Sequence, residues 1–321
     1  MKNRHTQISI SFLLLILLGL FTACSSINQS NEPDKLKIAV LPILDALPMY
    51  VAQENGYFEE QAVEVEFIPV GSAAERDQVI ASGQADGMIN DLVSTLLYNQ
   101  DTTHIQIVSF ARTATPDFPQ FRILAAKDSG ITSVEQLKGV EIGISEGSVI
   151  EYTTDRFLEA EGFSSLEIAT LAVPSIPVRM SLLDSGELKA ANLTDPLASL
   201  AIQGGAVVII DDTSYPEYGN SLISFRKSVI DSNPGAISGF LTAIKKAALE
   251  INADPTKWDT LLTEQKLVPA PLIGSYQIPT FPIGSLPSQA QWEDVVQWGM
   301  DKGFISHNVS YDASVNGEFL P

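Results

Sequence analysis

The chain has 321 residues, with 39 acidic against 19 basic side chains and a formal net charge of −20. Negative charge on that scale argues against nucleic acid or an anionic membrane surface as a partner, because both would repel it. One cysteine and three histidines leave no disulfide framework, thiolate metal centre or His/Cys cluster, and the length suits two domains of ordinary size.

The first segment, 1–24, places Lys2 and Arg4 ahead of an apolar run that ends in Thr22-Ala23-Cys24. A charged start, apolar middle and small-residue end make a secretory signal, and the run is short for a membrane span. Thr22-Ala23-Cys24 resembles a bacterial lipobox. That resemblance implies a lipidated Cys24 as the new N-terminus and firm anchoring by several acyl chains on the outer side of the cell membrane. Residues 25–35 are polar and of low complexity, so they are expected to form a flexible tether.

Short β-branched runs at 36–41, 63–70, 86–90 and 105–110 alternate with helical stretches, which is the logic of βαβ units and a mostly parallel sheet. Ser72 with Glu75 reads as a capping box, and Asp91 stands directly before the apolar-periodic stretch 92–98. The rhythm breaks over 111–120, around Pro116 and Pro119. A second series follows, with strands at 121–126, 140–145, 166–173, 190–194 and 207–211. Thr132 with Glu135 opens its first helix, and Gly139 ends it. One more strand at 221–225 precedes helices at 234–252, 255–264 and 288–302. These late helices cannot build a sheet domain alone and are expected to pack on the first unit. The second unit is then an insertion, with chain crossings near 111–121 and 214–222.

Three segments carry a family resemblance: 47–60 with its exit Gly56-Tyr57-Phe58-Glu59, 81–86 with Gly83-Gln84-Ala85-Asp86, and 133–148. Together they resemble substrate-binding proteins of ABC importers, in the NMT1-like branch that holds aliphatic-sulfonate, nitrate and thiamine-precursor binders. The resemblance covers about 36–240. It implies an α/β, two-lobed periplasmic-binding-protein-like fold of type II, with the second lobe inserted into the first and two hinge crossings. Lobe I would comprise 36–112 and 220–321, and lobe II 113–219. It further implies a small-molecule ligand, handed to an ABC permease with its ATPase, and a chain that works as a monomer without cofactor, metal or catalysis.

Ligands of open α/β sheets lie beyond the carboxyl ends of the strands. The residues expected there are Asp45, Ser72, Asn90, Asp91, Arg112, Ser145, Gly147, Ser148 and Asp195, with Tyr50, Phe110 and Phe118 as rings able to sandwich a heterocycle. Asp45, Asp91 and Asp195 favour a ligand with an N–H or cationic group, such as a pyrimidine vitamin precursor. Asp91 and Asp195 also stand at helix N-cap positions, with Pro196 after the latter. Arg112, together with Arg122, leaves an organic anion such as an alkanesulfonate as the alternative. Two further classes remain open, a ligand sensor and a hydrolase. Gly143-Ile144-Ser145-Glu146-Gly147 matches G-x-S-x-G, for which His307 is the one downstream histidine. The resemblance also extends to fungal pyrimidine-synthesis enzymes that consume their own histidine, but no histidine falls on an expected cleft loop.

Overall fold

The computed structural model describes residues 34–321. The signal, the lipid site at Cys24 and most of the tether lie outside the described residues. The tether reading is corrected at its end: Asp34 and Lys35 already pair with Val63 and Glu64.

The strands are β1 (Asp34–Val40), β2 (Val63–Pro69), β3 (Gly87–Asn90), β4 (Ile105–Thr113), β5 (Phe121–Ala125), β6 (Glu141–Ile144), β7 (Ala169–Ala172), β8 (Ala190–Thr194), β9 (Val207–Asp211) and β10 (Asn220–Arg226). The α-helices are α1 (Leu47–Glu54), α2 (Tyr57–Glu60), α3 (Ala73–Ala81), α4 (Leu92–Tyr98), α5 (Val149–Ala160), α6 (Ile176–Ser185), α7 (Leu197–Gln203), α8 (Lys227–Ser232), α9 (Pro234–Ala253), α10 (Asp259–Glu264), α11 (Gln289–Asp301) and α12 (Tyr311–Ser314).

Two five-stranded sheets result, ordered β2-β1-β3-β10-β4 and β7-β6-β8-β5-β9. The two follow one plan. In each, the fourth strand is antiparallel to its neighbours, and it is the strand that the chain enters straight from a crossing: β10 in lobe I and β5 in lobe II. The fold is therefore two α/β lobes with the second inserted into the first, joined by crossings at 114–120 and 212–219.

Helices cover both faces of the sheets, which explains why strands such as β4, β5 and β8 read as near-continuous buried runs rather than alternating ones. The main core of lobe I joins β1, α1 and α9 through Leu36, Ile38, Leu47, Val51, Ile237 and Phe240. Burying each such side chain contributes about 1.5–3 kcal/mol. The late helix α9 thus packs against the sheet of lobe I. The expected strand at 166–173 shrinks to β7, because Leu166 is 97% exposed and pairs with nothing in the sheet.

The crossings are tied to each other. Asp212, on the second, accepts from the backbone N–H of Gln120 (2.8 Å) and of Phe121 (3.2 Å), on and just after the first. A polar network continues toward lobe I, where Gln120 Nε2 donates to Asp45 Oδ2 (3.0 Å) and Arg112 Nη1 lies 3.4 Å from Asp45 Oδ1.

A second inter-lobe contact is a polar seam between α5 and α11. Tyr152 Oη and Arg156 Nε both donate to Asp294 (2.6 and 2.8 Å), and Trp298 Nε1 donates to Asp155 (2.8 Å). Lys302, at the end of α11, reaches Glu151 (2.7 Å) and Asp155 (3.0 Å). The spacing of the α5 residues puts all four on one helix face.

Candidate ligand-binding site

A cavity of about 60 Å³ lies between the lobes at the carboxyl ends of the strands. Its walls come from both sides: Leu41, Ile43, Asp45, Asn90 and Asp91 follow β1 or end or follow β3, while Ser145, Ser148, Pro174 and Thr194 follow or end β6, β7 and β8. This is where the topology of open α/β sheets places ligands. First-turn residues of three helices also reach it: Ala73 of α3, Val149 and Ile150 of α5, and Ile176 of α6. Helix N-termini carry partial positive charge.

Five of the expected residues, Asp45, Asn90, Asp91, Ser145 and Ser148, line this cavity. Their polar atoms are largely engaged inside the protein. Asp45 serves Arg112, Gln120 and Ser221. Asn90 Nδ2 donates to Thr95 Oγ1 (2.9 Å), and its Oδ1 accepts from Ser224 Oγ (2.7 Å). Asp91 is the N-cap of α4, its Oδ1 accepting from Ser94 N (2.8 Å), and its Oδ2 lies 3.4 Å from Arg76 Nη1. Burial raises the Asp91 pKa, and the neighbouring Arg76 offsets that only in part. The Ser148 hydroxyl donates to Ser145 O (2.7 Å) and caps α5 by accepting from Ile150 N (3.3 Å).

The remaining expected residues lie elsewhere. Tyr50 packs edge-on against Phe67 in the lobe I core, and Phe110 joins the cluster around Trp292. Both rings turn inward because the apolar positions of α1 and β4 face packed layers. Arg112 sits one contact behind the cavity, held by Asp45. Ser72 caps α3, accepting from Glu75 N (3.2 Å), and Gly147 N donates to Glu151 Oε2 (2.8 Å). Glu75 reaches Gly71 N rather than Ser72 N, so the expected capping box is only half formed. Its counterpart in lobe II is shifted by one residue, from Thr132 to Ser133 with Gln136.

Asp195 and Phe118 line a separate surface pocket with Tyr276 and Arg122. Asp195 does not cap α7, whose N-cap is Pro196; its carboxylate instead receives Arg122, Tyr276 and Ser199. Burial works against the Asp195 charge, but Arg122 and Arg112 outweigh it and lower its pKa.

Two charged cavity residues were not among those expected, Arg76 on α3 and Arg179 on α6. Both are buried. Arg76 Nε meets Asp77 Oδ1 at 2.8 Å, and these acids raise its pKa against the opposing effect of burial. Arg179 has only neutral partners. Its Nε donates to Asn192 O (2.9 Å) and its Nη1 to Val173 O (2.6 Å), and burial lowers its pKa to about 10. In both arginines Nη2 is buried without a hydrogen-bond partner among the described residues. A signal for them existed: a cation in the first turn of a helix opposes the macrodipole, so it asks for a separate reason.

The G-x-S-x-G serine, Ser145, lies on the cavity wall. His104 lines a different pocket, and His307 is exposed beside Ser306. Neither histidine is in a position to serve Ser145 as a base.

The family model described as NMT1/THI5 like matches residues 44–258. The chain belongs to this family. Among relatives of the NMT1/THI5-like chain, the formylaminopyrimidine-binding protein of Halalkalibacterium halodurans is 23% identical over 315 residues, 90% of this chain and 93% of that one. The 4-amino-5-hydroxymethyl-2-methylpyrimidine phosphate synthase of Aspergillus parasiticus is 23% identical over 222 residues, 65% of this chain and 63% of the synthase. The relatives thus include a protein named as a binder and one named as an enzyme. In fold, the chain is similar to the alkanesulfonate-binding protein SsuA of Xanthomonas axonopodis pv. citri bound to MOPS. The TM-score is 0.75 at 15% identity, over 89% of this chain and 99% of that one.

Proposed function

We propose that this chain is the extracytoplasmic solute-binding component of an ABC importer. It captures a small polar organic molecule between its lobes, delivers it to a permease, and is held to the membrane by lipid on Cys24. The observation that carries this reading is the cavity walled by both lobes, which the chain joins by two crossings. Such an arrangement traps a ligand by hinge closure. The names of the formylaminopyrimidine and alkanesulfonate binders support it. Binding rather than catalysis is favoured because the cavity serine has no histidine beside it among the described residues.

Native mass spectrometry of protein purified without refolding tests the reading. The expected result is one small molecule held without a covalent bond and released chemically unchanged. Its conversion on incubation would turn the reading toward an enzyme like the named synthases. The anchor has its own test. Cys24→Ala should give an uncleaved precursor or a water-partitioning product, and a wild-type protein that partitions into water would remove the anchor from the proposal.

A further inference from the structure

We infer that the cavity seats the oxyanion of a short organic acid between Arg76 of lobe I and Arg179 of lobe II, with the carbon body on the apolar floor. This rests on the reading of the cavity as a ligand site, and it replaces the cationic or N–H ligand that the sequence favours.

The argument is one of unmet demand. Arg76 and Arg179 are 3% and 0% exposed, both side chains border the cavity, and each keeps a buried Nη2 with no acceptor among the described residues. An unmatched buried donor costs free energy, and more so when charged. Arg76 already answers to Asp77 and Asp91. Arg179 answers only to backbone carbonyls, so its charge has no carboxylate beside it. An oxyanion with two or more oxygens accepts from both guanidinium groups at once, through bonds about twice as strong as neutral ones.

The acids on the wall are satisfied from within the protein. Both oxygens of Asp45 and both of Asp91 are already occupied by internal donors, so they offer little to a cation. Leu41, Ile43, Ile89, Phe121 and Ile150 supply the apolar floor. That floor favours an organic over an inorganic anion, and the cavity volume favours a compact one. Because the two arginines belong to different lobes, the same oxyanion also bridges the closed state.

The test uses matched probes on the full mature protein: methanesulfonate against its neutral isostere dimethyl sulfone, and acetate against acetamide. Titration calorimetry should find at least one of the two anions binding at least about tenfold more tightly than its neutral partner, with millimolar affinity sufficient for detection. Arg179→Met should abolish that preference, while Arg179→Lys keeps part of it. If the variants do not fold, the wild-type comparison decides alone. Equal binding of anion and isostere, no binding of either anion, or an unchanged preference in a folded Arg179→Met protein would each overturn the seat. A neutral or cationic molecule co-purifying in the cavity would also overturn it, while leaving the solute-binding reading intact.

Discussion

Gly219 lies so close to Asp212 that a Cβ on it would overlap the carboxylate. The same carboxylate holds the backbone N–H groups of Gln120 and Phe121. The first crossing is thus fastened to the second through a space that only glycine leaves open. Gly219→Ala should displace Asp212 and lower stability by about 1–3 kcal/mol, the usual effect of overpacking. Urea melts of the two proteins check this. A variant with an unchanged midpoint would mean that the crossings yield without resistance.

Asp212 also gives the fold a pH dependence. Burial raises its pKa to about 7, and the two backbone donors bring it down only in part. Arg112 pulls in the lowering direction and Asp211 in the raising one. The folded value lies above the unfolded one near 4, so the folded state binds the proton more tightly. The stability this contributes is complete below about pH 4 and is lost as pH rises through about 7. The unfolding midpoint should therefore climb on acidification from about pH 8 to about pH 5, in the same direction that the raised pKa values of Asp91 and Asp155 act. Asp212→Asn should flatten that rise. An equally steep rise in the variant would assign it to other groups.

Asp91 combines two roles that substitutions can separate. Asp91→Asn keeps the N-cap on α4 but removes the charge facing Arg76, and should lower stability by about 1.5–3 kcal/mol, the worth of a hydrogen bond to a charged group. Asp91→Ala should lose about 1 kcal/mol more, because the cap goes as well. With Asp91 neutral, Arg76 has less negative charge beside it, so methanesulfonate should bind more tightly to Asp91→Asn than to wild type. An Asp91→Asn protein as stable as wild type would reduce the residue to a cap alone.

The order of strands was legible because fully covered α/β sheets demand apolar β-branched runs. The stretches at 190–194 and 207–211 match β8 and β9 to the residue. The insertion followed from the break at 111–120 and the lone strand near 221. Site positions were legible for the same topological reason, which brought Asp45, Asn90, Asp91, Ser145 and Ser148 to the cavity. Their occupation was not legible. Whether an aspartate faces ligand or an internal partner depends on residues far away in sequence, as Asp45 depends on Gln120 and Ser221. Tyr50 and Phe110 failed for a different reason: a loop-proximal position does not fix side-chain direction. Arg76 and Arg179 were hidden within helices whose exposed faces also carry charge, and only their place in the first turn sets them apart.

Closure should be visible in solution. The two crossings carry the chain between lobes, so ligand should reduce the radius of gyration measured by small-angle scattering, as in hinge-closing binders. The ligand recovered by native mass spectrometry is the probe for that measurement. An unchanged radius at saturation would mean that the lobes keep one arrangement with and without ligand.

Helix α5 faces two ways: its first turn walls the cavity, and its flank is stitched to α11 by Tyr152, Asp155 and Arg156. Any separation of the lobes has to slide or part those bonds, so the ligand shares the work of closure with a surface it never touches. An observed affinity is then the intrinsic affinity of the cavity scaled by the fraction of molecules already closed. Residues such as Lys302 and Asp294 can therefore tune the observed affinity over a wide concentration range while the ligand's chemical identity stays fixed by the cavity.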